Sequence, residues 1–141
     1  MTVSRATFIR DVQIDANPDL SFLGEYSSRP TAAHIDREER GDMGRGEFRY
    51  FNGGTGDPGY IGQDYARAEA YNRGDWYMTG VRAGVTLNIP IGNGVSVAQT
   101  IMSPGLWGVE SDAGDDHIAS VYAEECETLT AMLAAMGITV V

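Results

Sequence analysis

The feature that most constrains this chain is a strict alternation running from about Trp76 to Ile89. Tyr77, Thr79, Val81, Ala83, Val85, Leu87 and Ile89 fall on one side, and Trp76, Met78, Gly80, Arg82, Gly84, Thr86 and Asn88 on the other. Successive side chains of a strand point to opposite faces, so this period places the aliphatic set on one face and a mixed set on the other. A helix would scatter the same residues around its circumference. Pro90-Ile91-Gly92-Asn93-Gly94 then supplies residues that accept positive φ, and Val95, Val97, Gln99 and Ile101 resume the alternation. The spacing predicts a long antiparallel hairpin with Val81, Val85 and Leu87 buried.

Two helices flank the hairpin. Asp57-Pro58 reads as an N-cap followed by proline at the first helical position, leading a helix to about Asn72. Tyr60, Ile61, Tyr65 and Ala68 form its apolar side, and Asn72-Arg73-Gly74-Asp75 ends it. A second helix is predicted from near Asp115 to Met136, with Ile118, Val121, Tyr122, Leu129, Met132, Leu133 and Met136 as its stripe and Gly137 just past its end. Residues 6–14 and 47–51 read as further strands. The stretch from Asn17 to Gly59 is rich in glycine and charge, which concentrates regular structure after residue 60. No repeat or linker divides the chain. The expected architecture is a single α+β domain over residues 1–141, an antiparallel sheet with a long central hairpin and two helices packed on one face.

Charge narrows the chemistry. Twenty acidic residues face ten basic ones, a net charge of -10, and every basic residue is an arginine. That excludes a lysine Schiff base and disfavours a direct electrostatic grip on nucleic acid. The single cysteine, Cys126, excludes an intramolecular disulfide, and with two histidines it cannot complete a four-ligand Cys/His zinc site. No apolar run approaches the ~20 residues that span a bilayer. The first residues lack a signal peptide's apolar segment. A soluble intracellular protein without cofactor or metal is expected.

Several motifs have a structural reading beside the chemical one. Gly54-Thr-Gly56-Asp-Pro-Gly59 matches G-x-G-x-x-G, but Asp57 would repel a pyrophosphate and Pro58 removes an amide, so a loop is expected. Arg40-Gly-Asp42 and Arg73-Gly-Asp75 read as turns, the second as a helix stop. The segment from Asp36 through Glu38 and Glu39 to Arg40 reads as a solvated, self-compensating run. Glu110, Asp112, Asp115, Asp116 and His117 form the densest polar cluster. They suit either a divalent-metal or acid–base centre, or helix caps from Ser111, Asp112 and Asp115 with the rest solvated. Trp107, between Leu106 and Gly108, suits either a lid over the core or an exposed anchor for a partner.

Four blocks carry a resemblance: Pro18 to Tyr26, Gln63 to Tyr65, Tyr71 to Trp76 and Gly105 to Asp112. Over about residues 17 to 138 the chain resembles a family of short uncharacterised proteins of bacteriophages, prophages and mobile elements. The resemblance implies a genomic neighbourhood and a bacterial host cytoplasm, with no established activity. The expected function is a non-enzymatic acidic binding protein, of the anti-CRISPR-like kind that occupies a basic groove on a host protein. Its contact residues would be Asp36, Glu38, Glu39, Trp107, Glu110, Asp112, Asp115 and Asp116, with no direct nucleic-acid or membrane contact. Two alternatives stand beside it: a small metal-assisted or acid–base enzyme centred on Glu110, Asp112, Asp116 and His117, and a virion or assembly accessory protein.

Overall fold

The computed structural model describes residues 1–43, 48–54 and 57–141. Among them are strands β1 (Thr2–Val3), β2 (Ile9–Ile14), β3 (Gly24–Ser27), β4 (His34–Asp36), β5 (Tyr50–Gly53), β6 (Met78–Gly92), β7 (Val95–Met102), β8 (Leu106–Glu110) and β9 (Thr139–Val140). The helices are α1 (Ile61–Asn72) and α2 (Asp115–Ala135). The fold is mixed α+β with helices packed against antiparallel sheets. It divides into two compact units, Met1–Ala16 with Tyr77–Val141, and Asn17–Trp76.

The first unit is built round β6. Strand β2 lines one edge of it over Thr79–Gly84, while β8 and β7 follow one another along the other edge, all antiparallel. The expected hairpin is there, closed by Asn93 and Gly94 with φ of 52° and 74°. Both values are positive, as a right-twisted two-residue turn requires. Between β7 and β8 the ladder is carried by Ser103. Its N–H donates to Ala83 O at 2.8 Å, and its Oγ accepts from Ala83 N at 2.9 Å and donates to Glu125 Oε1 at 2.8 Å. The hydroxyl thus stands in for the backbone carbonyl that the break removes.

These bonds also orient the strand. Ala83 turns its backbone groups towards β7, and Met78 O accepts from Asp15 N on the opposite edge at 2.8 Å. Odd-numbered residues of β6 therefore bond to the β7 and β8 side, even-numbered ones to the β2 side. Strand β2 stops at the Ile9–Gly84 pair. Pro90, being even, turns its missing N–H to the edge that β2 has left, which is why a proline is tolerated within this strand.

Helix α2 covers the odd face. Val81, Ala83, Val85 and Leu87 are buried against Val121, Leu129 and Leu133, as the alternation and the helical stripe predicted; Cys126, outside that stripe, is buried with them, and Met136, placed in the stripe, is exposed at the helix end. Each fully buried aliphatic side chain contributes roughly 1.5–3 kcal/mol. Glu124 and Glu127 stay exposed. Gly137, at φ 80°, ends the helix. Its N–H reaches Ala134 O at 3.0 Å, and the next amide, of Ile138, reaches Leu133 O at 2.9 Å. Strand β9 then pairs parallel with β1. Tyr77, placed on the aliphatic side by the pattern, is exposed, while Met78 of the mixed side is buried. Among the described residues no helix is long and apolar enough to cross a membrane.

In the second unit β5 lies between β3 and β4, both antiparallel to it, and α1 packs on these strands. Phe51 is fully buried, edge-on to Tyr26 at 5.2 Å and tilted to Tyr65 at 5.3 Å. The Asp57 carboxylate caps a 3-10 turn by accepting from Gly59 N at 2.9 Å, so the α-helix itself begins at Ile61. Gly74, at φ 81°, stops it as expected. Each helix thus has a sheet of its own, where the sequence reading placed both on one. Strand β5 starts at Tyr50, later than the expected strand over 47–51, whose first residue lies outside the described residues.

Candidate functional site

The even face of β6 carries glycines where the pattern leaves room for side chains, and those glycines are occupied by neighbours. A Cβ at Gly80 would enter the ring of Trp107, with Cδ2 and Cζ3 at 2.5 Å, and one at Gly84 would meet Met102 Sδ. The register explains the seating, since Gly80 lies opposite Trp107 and Met78 opposite Glu110. Trp107 Nε1 donates to Pro104 O at 3.1 Å, which fixes the indole's rotation. The side chain nevertheless remains 43% exposed. Of the two readings, lid or exposed anchor, the geometry is that of an exposed ring held in place. Arg82 and Asp11, two positions along the same face, form an ion pair, with Arg82 Nε to Asp11 Oδ2 at 2.8 Å.

Glu110 shares the Trp107 face. Ser111 then closes the end of the strand, its Oγ accepting from Tyr77 N at 3.0 Å and its N–H donating to Tyr77 O at 2.8 Å. Asp112 lies in the connecting turn, and Asp115, Asp116 and His117 are exposed in the first turn of α2. The helix N-cap is Gly114, with no side-chain cap. The suggested capping by Ser111, Asp112 and Asp115 is therefore replaced. Ser111 serves the strand, and Asp115 is already helical, where its charge suits the helix dipole. Among the described residues no three His, Cys, Asp or Glu side chains come together in a way that could hold a metal ion. Glu110, Asp112, Asp116 and His117 therefore supply no metal-binding triad.

The acids expected in the second unit are differently placed. Arg49 holds Asp36 by two bonds, Nε to Oδ1 at 3.0 Å and Nη2 to Oδ2 at 2.9 Å, and reaches Glu38 through Nη1 at 3.0 Å. Asp36 Oδ1 also accepts from the Glu38 and Glu39 amides. The Arg49 guanidinium, aided by those amides, lowers the Asp36 carboxyl below its usual range. Glu39 is exposed. Asp36 and Glu38 are thus engaged by a cation of their own unit.

Arg37, read as part of a solvated run, is only 8% exposed. It donates from Nη1 to Phe48 O at 2.8 Å and from Nε to Tyr65 OH at 3.3 Å, and lies over the Tyr26 ring. Tyr26 OH donates to Glu69 Oε1 at 2.6 Å, and Tyr65 OH to Asp42 Oδ2 at 2.8 Å. Burial, with the Glu69 carboxylate beside it, raises the Tyr26 hydroxyl well above the ordinary tyrosine range. Tyr65 is raised too, chiefly by burial. A shallow cleft of about 310 Å³ opens over this network, between Arg40, Asp42, Tyr65, Glu69 and Arg73. The i, i+4 spacing of Tyr65 and Glu69 on one helix face is the signal that could have placed the network, but its arginine partner comes from a distant strand end.

The G-x-G-x-x-G match falls partly outside the described residues, at Thr55 and Gly56, and the amide of Gly59 is taken by Asp57. Comparison of the chain with family models, with curated proteins and with solved structures finds no match.

Proposed function

We propose that the protein is a non-enzymatic binding protein of a phage or mobile element that engages a basic surface on a host protein, in the manner of an anti-defence inhibitor. The observation that carries this reading is Trp107, an indole seated on Gly80, fixed by its bond to Pro104 and still 43% exposed. A rigid exposed tryptophan loses little freedom on binding and offers its face to an arginine or lysine of a partner. The acids that follow it, Glu110 to Asp116, favour the same partner chemistry, and the net charge of -10 steers a basic surface towards it. Phage or mobile-element origin rests on the resemblance of the Gly105 to Asp112 block and its companions.

The experiment is affinity capture from nuclease-treated bacterial lysate with three baits: the wild-type chain, Trp107→Ala, and the triple variant Asp112→Arg, Asp115→Arg, Asp116→Arg. A protein retained by wild type, weakened by each variant and released as salt rises is the expected result, because exposed charges are screened within ~8 Å at physiological ionic strength. Equal retention by all three folded baits removes this surface from the function.

A further inference from the structure

The run from Ala83 to Val109 contains no Asp, Glu, Lys, Arg or His, in a chain of net charge -10. It forms most of β6, all of β7 and most of β8, and residues 88–100 are exposed throughout. Strand β7 ends its sheet, so among the described residues nothing pairs with its outer side. The Ala83–Ser103 bonds and the register of β7 on β6 turn the odd residues of β7 inward. Ser96, Ala98 and Thr100 therefore present their N–H and C=O groups outward. Natural edge strands are usually blunted by charge, proline or a bulge. The free part of the β6 edge has Pro90; β7, reading Val-Ser-Val-Ala-Gln-Thr-Ile-Met, has neither charge nor proline.

We propose that β7 pairs antiparallel with β7 of a second copy of this chain, about a two-fold axis at Ala98. Placing Ala98 opposite its mate sets Ser96 opposite Thr100, Val95 opposite Ile101 and Val97 opposite Gln99. Every outward N–H then meets an outward C=O, with reciprocal bonds at Ala98 and at both Ser96–Thr100 pairs. Odd residues meet odd residues, so the exposed aliphatic side chains of Val95 and Val97, and Ile89 opposite Val97 in the same sheet, continue across the seam on one face. Charge selects this seam for self-association. Two copies with ten excess negative charges each repel wherever carboxylates approach, and the β7 edge is where neither copy brings any. The seam is one strand pair with no covered core behind it, and an isolated strand pair is only marginally stable, so weak association in the micromolar range is expected.

Sedimentation of the full chain over about 1–200 μM tests this, with the mass expected to rise from 15.2 kDa towards twice that value. Ala98→Pro removes an outward donor and leaves the inward ladder to β6 intact, so it should sediment as a monomer throughout. A wild-type chain that stays monomeric to the highest concentration overturns the proposal, as does a folded Ala98→Pro variant that still dimerises. Should that variant fail to fold, cysteine cross-linking decides. Bonded antiparallel pairs hold their Cα atoms ~5.5 Å apart, within disulfide range, so Ala98→Cys should oxidise to a covalent dimer. Asn93→Cys should not, since the same axis separates its two copies by roughly 33 Å. The native Cys126 is buried and gives no background. Cross-linking at 93 but not at 98 refutes the register.

Discussion

Gly80→Ala isolates the seating of Trp107. A Cβ there would sit 2.5 Å from two indole carbons, well inside ordinary contact, so either the strand or the ring must move. The strand is held on both edges by β2 and β8, whereas the ring has solvent on its far side. The ring should therefore lift. An aromatic side chain offers ~150–250 Å², and with 43% exposed, roughly 100 Å² of the indole is covered, worth about 2–3 kcal/mol if lost entirely. Partial lifting forfeits part of this, and alanine returns about 0.5–1 kcal/mol by restricting the unfolded chain. The net expectation is a loss of about 1–2 kcal/mol, or a Tm lower by roughly 3–10 °C. Fluorescence quenching separates local from global change, because Trp76, the other tryptophan, is buried and bonded through Nε1 to Arg67 O at 2.9 Å. Iodide should quench a larger share of emission in Gly80→Ala than in wild type, with the Trp76 component unaltered. An unchanged melt and unchanged quenching would refute the seating and, with it, the rigid anchor.

Two further substitutions probe polar positions. Ser103→Ala removes the hydroxyl that serves Ala83 N and Glu125, leaving a buried N–H without an acceptor; thermal melts should show a loss of about 1–3 kcal/mol, whereas Glu125→Gln, which keeps an acceptor for the hydroxyl, should cost less. Tyr26 and Tyr65 have folded-state pKa values raised above the unfolded value, so their contribution is complete below about pH 10 and is lost as pH rises from there. Melting temperature should accordingly fall more steeply with pH above 10 in wild type than in Tyr26→Phe; parallel profiles would show that Tyr26 does not carry the dependence.

Much of the first unit was legible because its signals are local. The β6 alternation needs only neighbouring residues, as do the Asn93-Gly94 turn and the Gly137 helix end. The second unit was less so. Strands β3 and β4 are too short to display a period, and they owe their pairing to β5. Arg37 sits in a string of charges that looks solvated. Its burial is decided by Tyr65, Glu69 and Phe48, none near enough in sequence to leave a local pattern. The Trp107 seat was hidden in another way. Gly80 and Gly84 read as gaps in a mixed face, and only the pairing with β8 and β7 shows what fills them.

The two proposed surfaces bear on one another through symmetry. In the Ala98-centred register a residue meets another of the same parity, so the two-fold axis stands perpendicular to the joined sheet, and each face of one copy continues into the same face of the other. Trp107 and Glu110 lie on the even face, opposite the one α2 covers. Both indoles of a dimer would therefore point the same way, offering two equal sites to one partner surface. A partner with repeated basic sites would then be held at an effective concentration that a single site lacks, strengthening binding by up to ~10²–10⁴-fold without any new contact. Ala98→Pro, which leaves Trp107 and the acids untouched, should weaken binding to a captured partner immobilised densely on a biosensor surface, yet bind a sparsely immobilised one as wild type does. Equal loss at both densities would mean that residue 98 itself contacts the partner, and no loss at either would leave Trp107 acting one copy at a time.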